Sequence, residues 1–145
     1  MSEQASGPSI PSALLCEDIR QEKHNKLSLV GVYLGRTIVV PEFPAHLRSL
    51  FFLWVVEGLP EGHVESTHRV IRADADEEEV VFRSLASVES KKGIPAVIAV
   101  GYGGLKFTEA SRYVSVFQLE HGDVPPFTHT LEFGVDANPD MFDFD

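Results

Sequence analysis

The sequence predicts an all-β fold, a single-domain antiparallel β-sandwich of about seven to eight strands with an immunoglobulin-like or C2-like arrangement. Short runs in which every second residue is apolar or β-branched recur along the chain, and this period of two is typical of strands. Turn residues separate the runs at the spacing found in sandwiches and barrels. No segment shows a long helical period with caps. A chain of 145 residues, 43% of them hydrophobic, suits one domain with a sizeable core.

A first hairpin is predicted within residues 13–33. Ala13, Leu15 and Ile19 share one side of the first strand, while Leu14 and Cys16 share the other. Residues 21–26 are all polar and include Asn25, which suits a left-handed turn position. Residues 27–33 are apolar and β-branched, and the glycine among them is typical of a bulge or a close backbone approach. An amphipathic helix over residues 16–26 is the alternative that the same pattern allows.

The hairpin also resembles a known family. The stretch KLSLVGVY at residues 26–33, preceded by Cys-Glu-Asp and followed by the Phe43-Pro44 step, is similar to the first hairpin of an uncharacterised family of small bacterial proteins. The stretch LKFTEASRYVSVFQL at residues 105–119 is similar to that family's last strand pair. The resemblance implies a β-sandwich. It implies no activity and no functional residues, because the family has no agreed function.

A short strand is predicted at residues 36–40, and Pro41 ends it. Because prolines remove ladder donors, the segment from Pro41 to Pro44 is expected to cross an end of the sheet or to pass between the sheets.

The strongest predicted strand is LRSLFFLWVVE at residues 47–57. A strand with one wet face alternates with polar residues, and this strand does not, so we expect both of its faces to be covered. One face belongs to the core, and the other is a possible interface. A loop or helix of the same chain, or a second subunit in a homodimer, would cover that second face. The core face comprises Leu50, Phe52, Trp54 and Val56, and the possible interface comprises Phe51, Leu53 and Val55.

The remaining strands are predicted at residues 64–73, 80–88, 94–102, 112–119 and 131–135. The glycines of Gly101-Tyr102-Gly103-Gly104 indicate a flexible connection. Tyr113 lies where an immunoglobulin-like sandwich often has a tyrosine corner, and a buried core tyrosine is the simpler interpretation.

Composition excludes several classes of function. A net charge of −10 disfavours binding to nucleic acid and to anionic membranes. The single cysteine, Cys16, cannot form an intramolecular disulfide, which agrees with a reducing cytoplasm. The polar start of the chain lacks the regions of a signal peptide, and the longest apolar run is strand-sized. We therefore expect a cytoplasmic protein with a disordered segment (1–12), a sandwich domain (13–136) and an acidic-aromatic tail (137–145).

No motif indicates catalysis or a cofactor. Cys16 lies in an apolar strand without a recognisable base, so a packed thiol is expected rather than a nucleophile. The odd spacing of His63 and His68 makes them poor joint metal ligands on a strand, and solvated side chains are expected. The GYGGLK stretch beginning at Gly101 lacks the Gly-Lys-Ser/Thr sequence and the following helix of a phosphate-binding loop.

One acidic turn is a candidate calcium site. The sequence DADEEE at residues 74–79 places carboxylates at alternate positions, as the calcium-binding loops of C2-like sandwiches do, with Asp136, Asp140 and Asp143 as a second acidic group. A solvated charge run is the simpler interpretation. The candidate ligands within the turn are Asp74, Asp76 and Glu78.

The tail NPDMFDFD alternates apolar and acidic residues, which is typical of short peptides that dock into a basic, apolar groove. It resembles the acidic tips of bacterial single-stranded-DNA-binding proteins but ends in Asp rather than Phe. The alternative is that its two phenylalanines pack back on the sheet as a last short strand. The candidate partner-binding residues are Met141, Phe142, Asp143, Phe144 and Asp145.

These patterns favour a non-catalytic binding or adaptor module with a protein partner. The alternatives are a calcium-dependent C2-like module and an acidic inhibitor that mimics nucleic acid in a conflict between phage and host.

Overall fold

The computed structural model describes residues 7–74, 79–122 and 124–142, and most of these residues lie in β-strands, as the alternating pattern predicts. Within those ranges the chain forms nine strands and two short 3-10 helices, Leu34–Arg36 and Pro139–Phe142. The strands are β1 (Ser9–Glu22), β2 (Lys26–Val32), β3 (Thr37–Val40), β4 (Ala45–Glu57), β5 (Gly62–Arg72), β6 (Val80–Ser90), β7 (Ala96–Phe107), β8 (Ser111–His121) and β9 (Val124–Ala137).

The strands form two sheets that pack as a sandwich, which confirms the predicted fold class. Sheet A has the order β2-β1-β4-β7, and sheet B has the order β3-β9-β8-β5-β6. All neighbouring pairs are antiparallel except β3 and β9, which run parallel. The proline-containing segment from Pro41 to Pro44 joins β3 in sheet B to β4 in sheet A, as its missing donors predict.

The first hairpin is confirmed, and the alternative helix over residues 16–26 is wrong. Glu22 pairs with Lys26, and the turn between them places His24 and Asn25 at φ values of 64° and 58°. Asparagine tolerates this left-handed region because its short side chain can bond locally. β1 begins at Ser9, so residues 9–12 of the segment predicted to be disordered belong to sheet A. Residues 1–6 lie outside the described residues.

The core lies between the sheets and is organised around β4. Leu50, Phe52, Trp54 and Val56 are each at most 1% exposed, which confirms the predicted core face of this strand. The Trp54 ring stacks on Phe117 of β8 with ring centroids 4.0 Å apart. Burying one large apolar side chain stabilises the fold by about 1.5–3 kcal/mol, so this row is a main source of stability.

The predicted flexible connection at residues 101–104 is wrong, because these residues lie inside β7 and pair with β4. Gly101 is opposite Phe51, and a Cβ atom at Gly101 would lie 2.4 Å from an atom of the Phe51 ring. The glycine therefore allows the ring to lie against the backbone of the neighbouring strand. A glycine pattern alone does not separate such a close approach from a flexible loop.

Gly104 changes which residues of β7 face the core. Tyr102 contacts His68 and Phe107 contacts Tyr113, so both side chains point toward sheet B although they are an odd number of residues apart. Regular alternation would place them on opposite faces. Gly104, with φ at +64°, lies between them and supplies the backbone conformation that a side chain would disfavour. The buried Tyr113 also stacks on Phe133, as expected of a core tyrosine.

Gly101→Ala should destabilise the protein by about 1–3 kcal/mol, because the new methyl group displaces the Phe51 ring. Urea unfolding followed by the fluorescence of Trp54, the single tryptophan, measures the change. Gly103→Ala is the matched control, since its Cβ would lie 3.5 Å from the nearest atom. The explanation is contradicted if both substitutions lower the free energy of unfolding by the same amount. It is also contradicted if Gly101→Ala costs as much in a Phe51→Ala background as in the wild-type protein.

Candidate functional site

The second face of β4 lies on the outside of sheet A, and it is continuous with apolar residues of the neighbouring strands. Leu53 pairs with Leu14 on β1 and Ala99 on β7, and directly paired residues share a face. Leu53 is 4% exposed, whereas Val97 at the edge of the sheet is 46% exposed. We define the outer face of sheet A as Leu14, Cys16, Val30, Val32, Phe51, Leu53, Val55, Val97 and Ala99.

Every described strand belongs to one of the two sheets, so no described strand forms a third layer on this outer face. The centre of the face is closed to solvent, because Cys16 is 0% and Leu53 is 4% exposed. Cover by a loop or helix of the same chain and cover by a second subunit both stay predictions. The possible interface at Phe51, Leu53 and Val55 stays a prediction.

Cys16 is a buried thiol, as expected, and it lies on the outer face of sheet A opposite Phe51. Burial is the main cause that raises the pKa of its thiol. A thiol held in its protonated form is a weak nucleophile. The geometry therefore favours packing over covalent chemistry at this position.

Charged groups of both signs surround one end of the outer face. A depression of about 590 Å³ brings Asp18, Arg20 and Arg48 close to Phe51 and Val30. Arg20 forms an exposed ion pair with Asp18, with its Nε atom 3.3 Å from the carboxylate. The rim is therefore of mixed charge, although the chain as a whole is strongly acidic.

A second depression, the corner groove, has a volume of about 630 Å³ and lies where β2, β3 and β4 meet. Met141 of the second 3-10 helix lines the groove and is 59% exposed. Phe142 ends that helix, so the part of the tail at residues 139–142 is not the short strand that was the alternative prediction. Asp143, Phe144 and Asp145 lie outside the described residues. Partner binding by the tail stays a prediction.

The acidic turn at residues 74–79 is joined to the sheet by Arg72. The Arg72 Nε atom is 3.5 Å from a carboxylate oxygen of Asp74 and 3.7 Å from one of Glu79. Asp76 and Glu78, the other candidate calcium ligands, lie outside the described residues. Elsewhere in the chain, the described residues contain no group of three or more side chains placed to hold a metal ion. Calcium binding stays a prediction.

His68 is the polar residue that sequence reasoning placed wrongly. It is 1% exposed rather than solvated, and its ring lies 4.6 Å from the Phe52 ring and 4.8 Å from the Trp54 ring, between centroids. Its Nδ1 atom is 2.7 Å from the Tyr102 hydroxyl, and its Nε2 atom is 2.8 Å from the Ser115 hydroxyl. His68 alternates with buried residues along β5, and that period of two was the available indication of burial.

The His68 network resembles the nucleophile-and-base pairs of hydrolases in its residue types. The Tyr102 hydroxyl is also 3.1 Å from the Ser84 hydroxyl, so four polar side chains form a connected chain. Ser115 is 1% exposed and Ser84 is only partly exposed, so the His68–Ser115 pair is closed to a substrate in this conformation. A fully satisfied buried network of this kind contributes to the specificity of core packing.

Comparisons with known proteins add little about function. No protein-family model matches the chain, and no curated protein matches its sequence. Among solved structures, the soluble domain of PmoD from Methylocystis sp. ATCC 49242 (Rockwell) matches with 12% sequence identity and a TM-score of 0.45. The match covers 85% of this chain and 88% of that chain. Among the helices of the described ranges, none has the length and hydropathy that a membrane span needs.

The free energy of unfolding should fall as pH decreases from 6.5 toward 3, and His68→Gln should remove part of this dependence. Burial lowers the pKa of His68 from 6.5 to about 3. Above pH 7 the ring is neutral in both states. Below pH 6.5 the unfolded chain binds a proton that the folded chain does not, which costs about 1.4 kcal/mol per pH unit. Denaturant titrations between pH 4.5 and 7.5 measure this slope.

His63 gives a control of opposite sign. Hydrogen bonds to the carboxylates of Glu65 and Glu89 raise the pKa of this exposed histidine. The contribution of His63 to stability is complete below the pKa that its ring has in the unfolded chain. It is lost as pH rises through the higher pKa that the ring has in the folded protein. His63→Gln should therefore cost stability mainly at acidic pH. A His68→Gln variant that keeps the wild-type slope would show that another group causes it.

Proposed function

We propose that this protein is a non-catalytic, cytoplasmic binding module that holds a protein partner on the outer face of sheet A. The observation that carries the proposal is the apolar surface that reaches the exposed edges of sheet A on β2 and β7, with no third layer of described strands over it. Val30, Val32 and Val97 at the edges are 38%, 37% and 46% exposed, so the surface extends into solvent beyond its closed centre.

The shape of this face determines where a partner would make contact. β1 and β7 lie on either side of β4 from Phe51 to Val55, whereas β2 reaches only the end of that section, where Val32 pairs with Cys16. Cys16 and Leu53 at the centre are closed to solvent, so a partner would cover apolar surface mainly at the exposed edges of the face.

Charge supports a protein partner at this face rather than elsewhere on the molecule. A chain of net charge −10 repels an acidic protein, a second copy of itself included. The centre of the outer face carries no charge, and its rim carries Asp18 together with Arg20 and Arg48. A partner with an apolar centre and a rim of mixed charge is therefore complementary. A second copy of this chain has such a face, but its net charge of −10 opposes the association.

The absence of catalysis is supported by where the reactive groups lie. His68 and Ser115, the pair most like a catalytic base and nucleophile, are enclosed between the sheets. The buried Cys16 has a raised thiol pKa. No observation favours the calcium-dependent module or the nucleic-acid mimic over a binding module.

Val97→Asp should weaken partner binding at least tenfold, because it places a charge in the apolar face that a partner would have to desolvate. Leu85→Asp is the matched control: Leu85 is 76% exposed and lies on the outward face of sheet B. Sedimentation velocity measures self-association, because it compares the mass in solution with the 16.0 kDa of one chain. Quantitative capture on the immobilised protein measures how much of a different partner is bound.

Both possible partners give a distinct result in this pair of measurements. If the wild-type protein is a dimer and Val97→Asp dissociates it, the partner is a second copy of this chain. If the wild-type protein is a monomer that captures one protein, and Val97→Asp abolishes that capture, the partner is a different protein. Deletion after Asn138, which leaves β9 intact, tests the tail separately. If Val97→Asp and Leu85→Asp both behave like wild type, the outer face of sheet A is not the binding surface.

A further inference from the structure

The corner groove shares only Val32 with the outer face of sheet A as defined above. It adjoins the depression at the end of that face, because both are lined by Glu17, Tyr33, His46 and Leu47. Its volume of about 630 Å³ lies within the range of about 300–1,000 Å³ that is typical of small-molecule sites. Such sites are mostly apolar with a few convergent polar groups. The groove fits this description on both counts.

Apolar side chains from separate elements form most of the lining. Leu34 in the first 3-10 helix is 83% exposed, and Met141 in the second is 59% exposed. Val39 of β3 and Leu47 of β4 also contribute. A ligand that covers these side chains removes apolar surface from water, at about 25 cal/mol per Å².

The charged part of the lining has a single sign. Glu17 of β1 and Glu42, between β3 and β4, line the groove, and the described lining includes no Lys or Arg. His46 and Thr37 complete its polar groups. Two carboxylates beside apolar walls disfavour an anionic ligand and favour a cationic one.

Tyr33 adds an aromatic ring beside one of these carboxylates. Both side chains line the groove, and burial, together with the negative charge of Glu17, raises the pKa of Tyr33 to about 12. The stem of Glu17 lies against the Gly31 backbone, where a Cβ atom would be 2.7 Å from the carboxyl carbon. An aromatic ring and a carboxylate that line one groove both attract an organic cation, the ring through its quadrupole and the carboxylate through its charge.

We propose that the corner groove binds a small organic cation bearing apolar groups, with the cation near Glu17, Glu42 and Tyr33 and the apolar groups on Leu34 and Met141. The acidic tail of the same chain is a poor occupant, because Asp143 and Asp145 carry the same charge as the two glutamates.

Tetraphenylphosphonium and tetraphenylborate are suitable probes, because they have nearly the same shape and opposite charge. Isothermal titration of the full chain should show saturable binding of the cation and none of the anion. The double variant Glu17→Gln with Glu42→Gln should weaken cation binding about fivefold or more. Leu34→Ser should weaken it without changing the charge of the groove.

Glu132→Gln is the matched control, since it removes the same charge from an exposed position on sheet B. It should leave cation binding within twofold of wild type. The proposal is overturned if the cation does not bind saturably, if the anion binds as tightly, or if Glu132→Gln weakens binding as much as the double variant. It is also overturned if Val97→Asp abolishes cation binding and the double variant does not, since the cation would then sit on the outer face of sheet A.

Discussion

The stacking of Trp54 on Phe117 joins the two sheets at the centre of the molecule. The two rings are nearly parallel, with an interplanar angle of 8°, and they belong to β4 of sheet A and β8 of sheet B. Phe52 extends the contact to Phe133 on β9, with ring centroids 5.7 Å apart. These rings fix the separation of the sheets, so the positions of the surface features on either side of them depend on this contact.

His68 lies against the same aromatic rings, and its position shows how a polar side chain is accommodated in this core. An unpaired imidazole there would cost several kcal/mol, whereas its two nitrogens meet the hydroxyls of Tyr102 and Ser115. These partners come from β7 and β8, so the network spans both sheets. These hydrogen bonds favour one register of β5 against its neighbours. A shift of β5 by one residue would turn His68 outward, and the two hydroxyls would lose their bonds to its ring.

β4 also explains why the candidate binding surface lies on sheet A. Its outward residues are as apolar as its inward residues, and Phe51 lies over Gly101 rather than projecting into solvent. The result is a face whose centre is well packed and whose edges are exposed. The corner groove depends on different features, the two 3-10 helices and the crossing from β3 to β4. A substitution at Val97 therefore alters only the outer face, and one at Leu34 alters only the corner groove.

The sequence by itself determined the fold class, the first hairpin and the core face of β4, because period-two alternation and turn residues are local properties. It also indicated the second apolar face of β4, but not that the centre of this face is closed to solvent while its edges are exposed. Only the tertiary structure decided the parallel pairing of β3 with β9, the burial of His68 and the assembly of the corner groove. Each of these depends on contacts between residues distant in sequence, such as Glu17, Tyr33 and Met141, which no local pattern brings together.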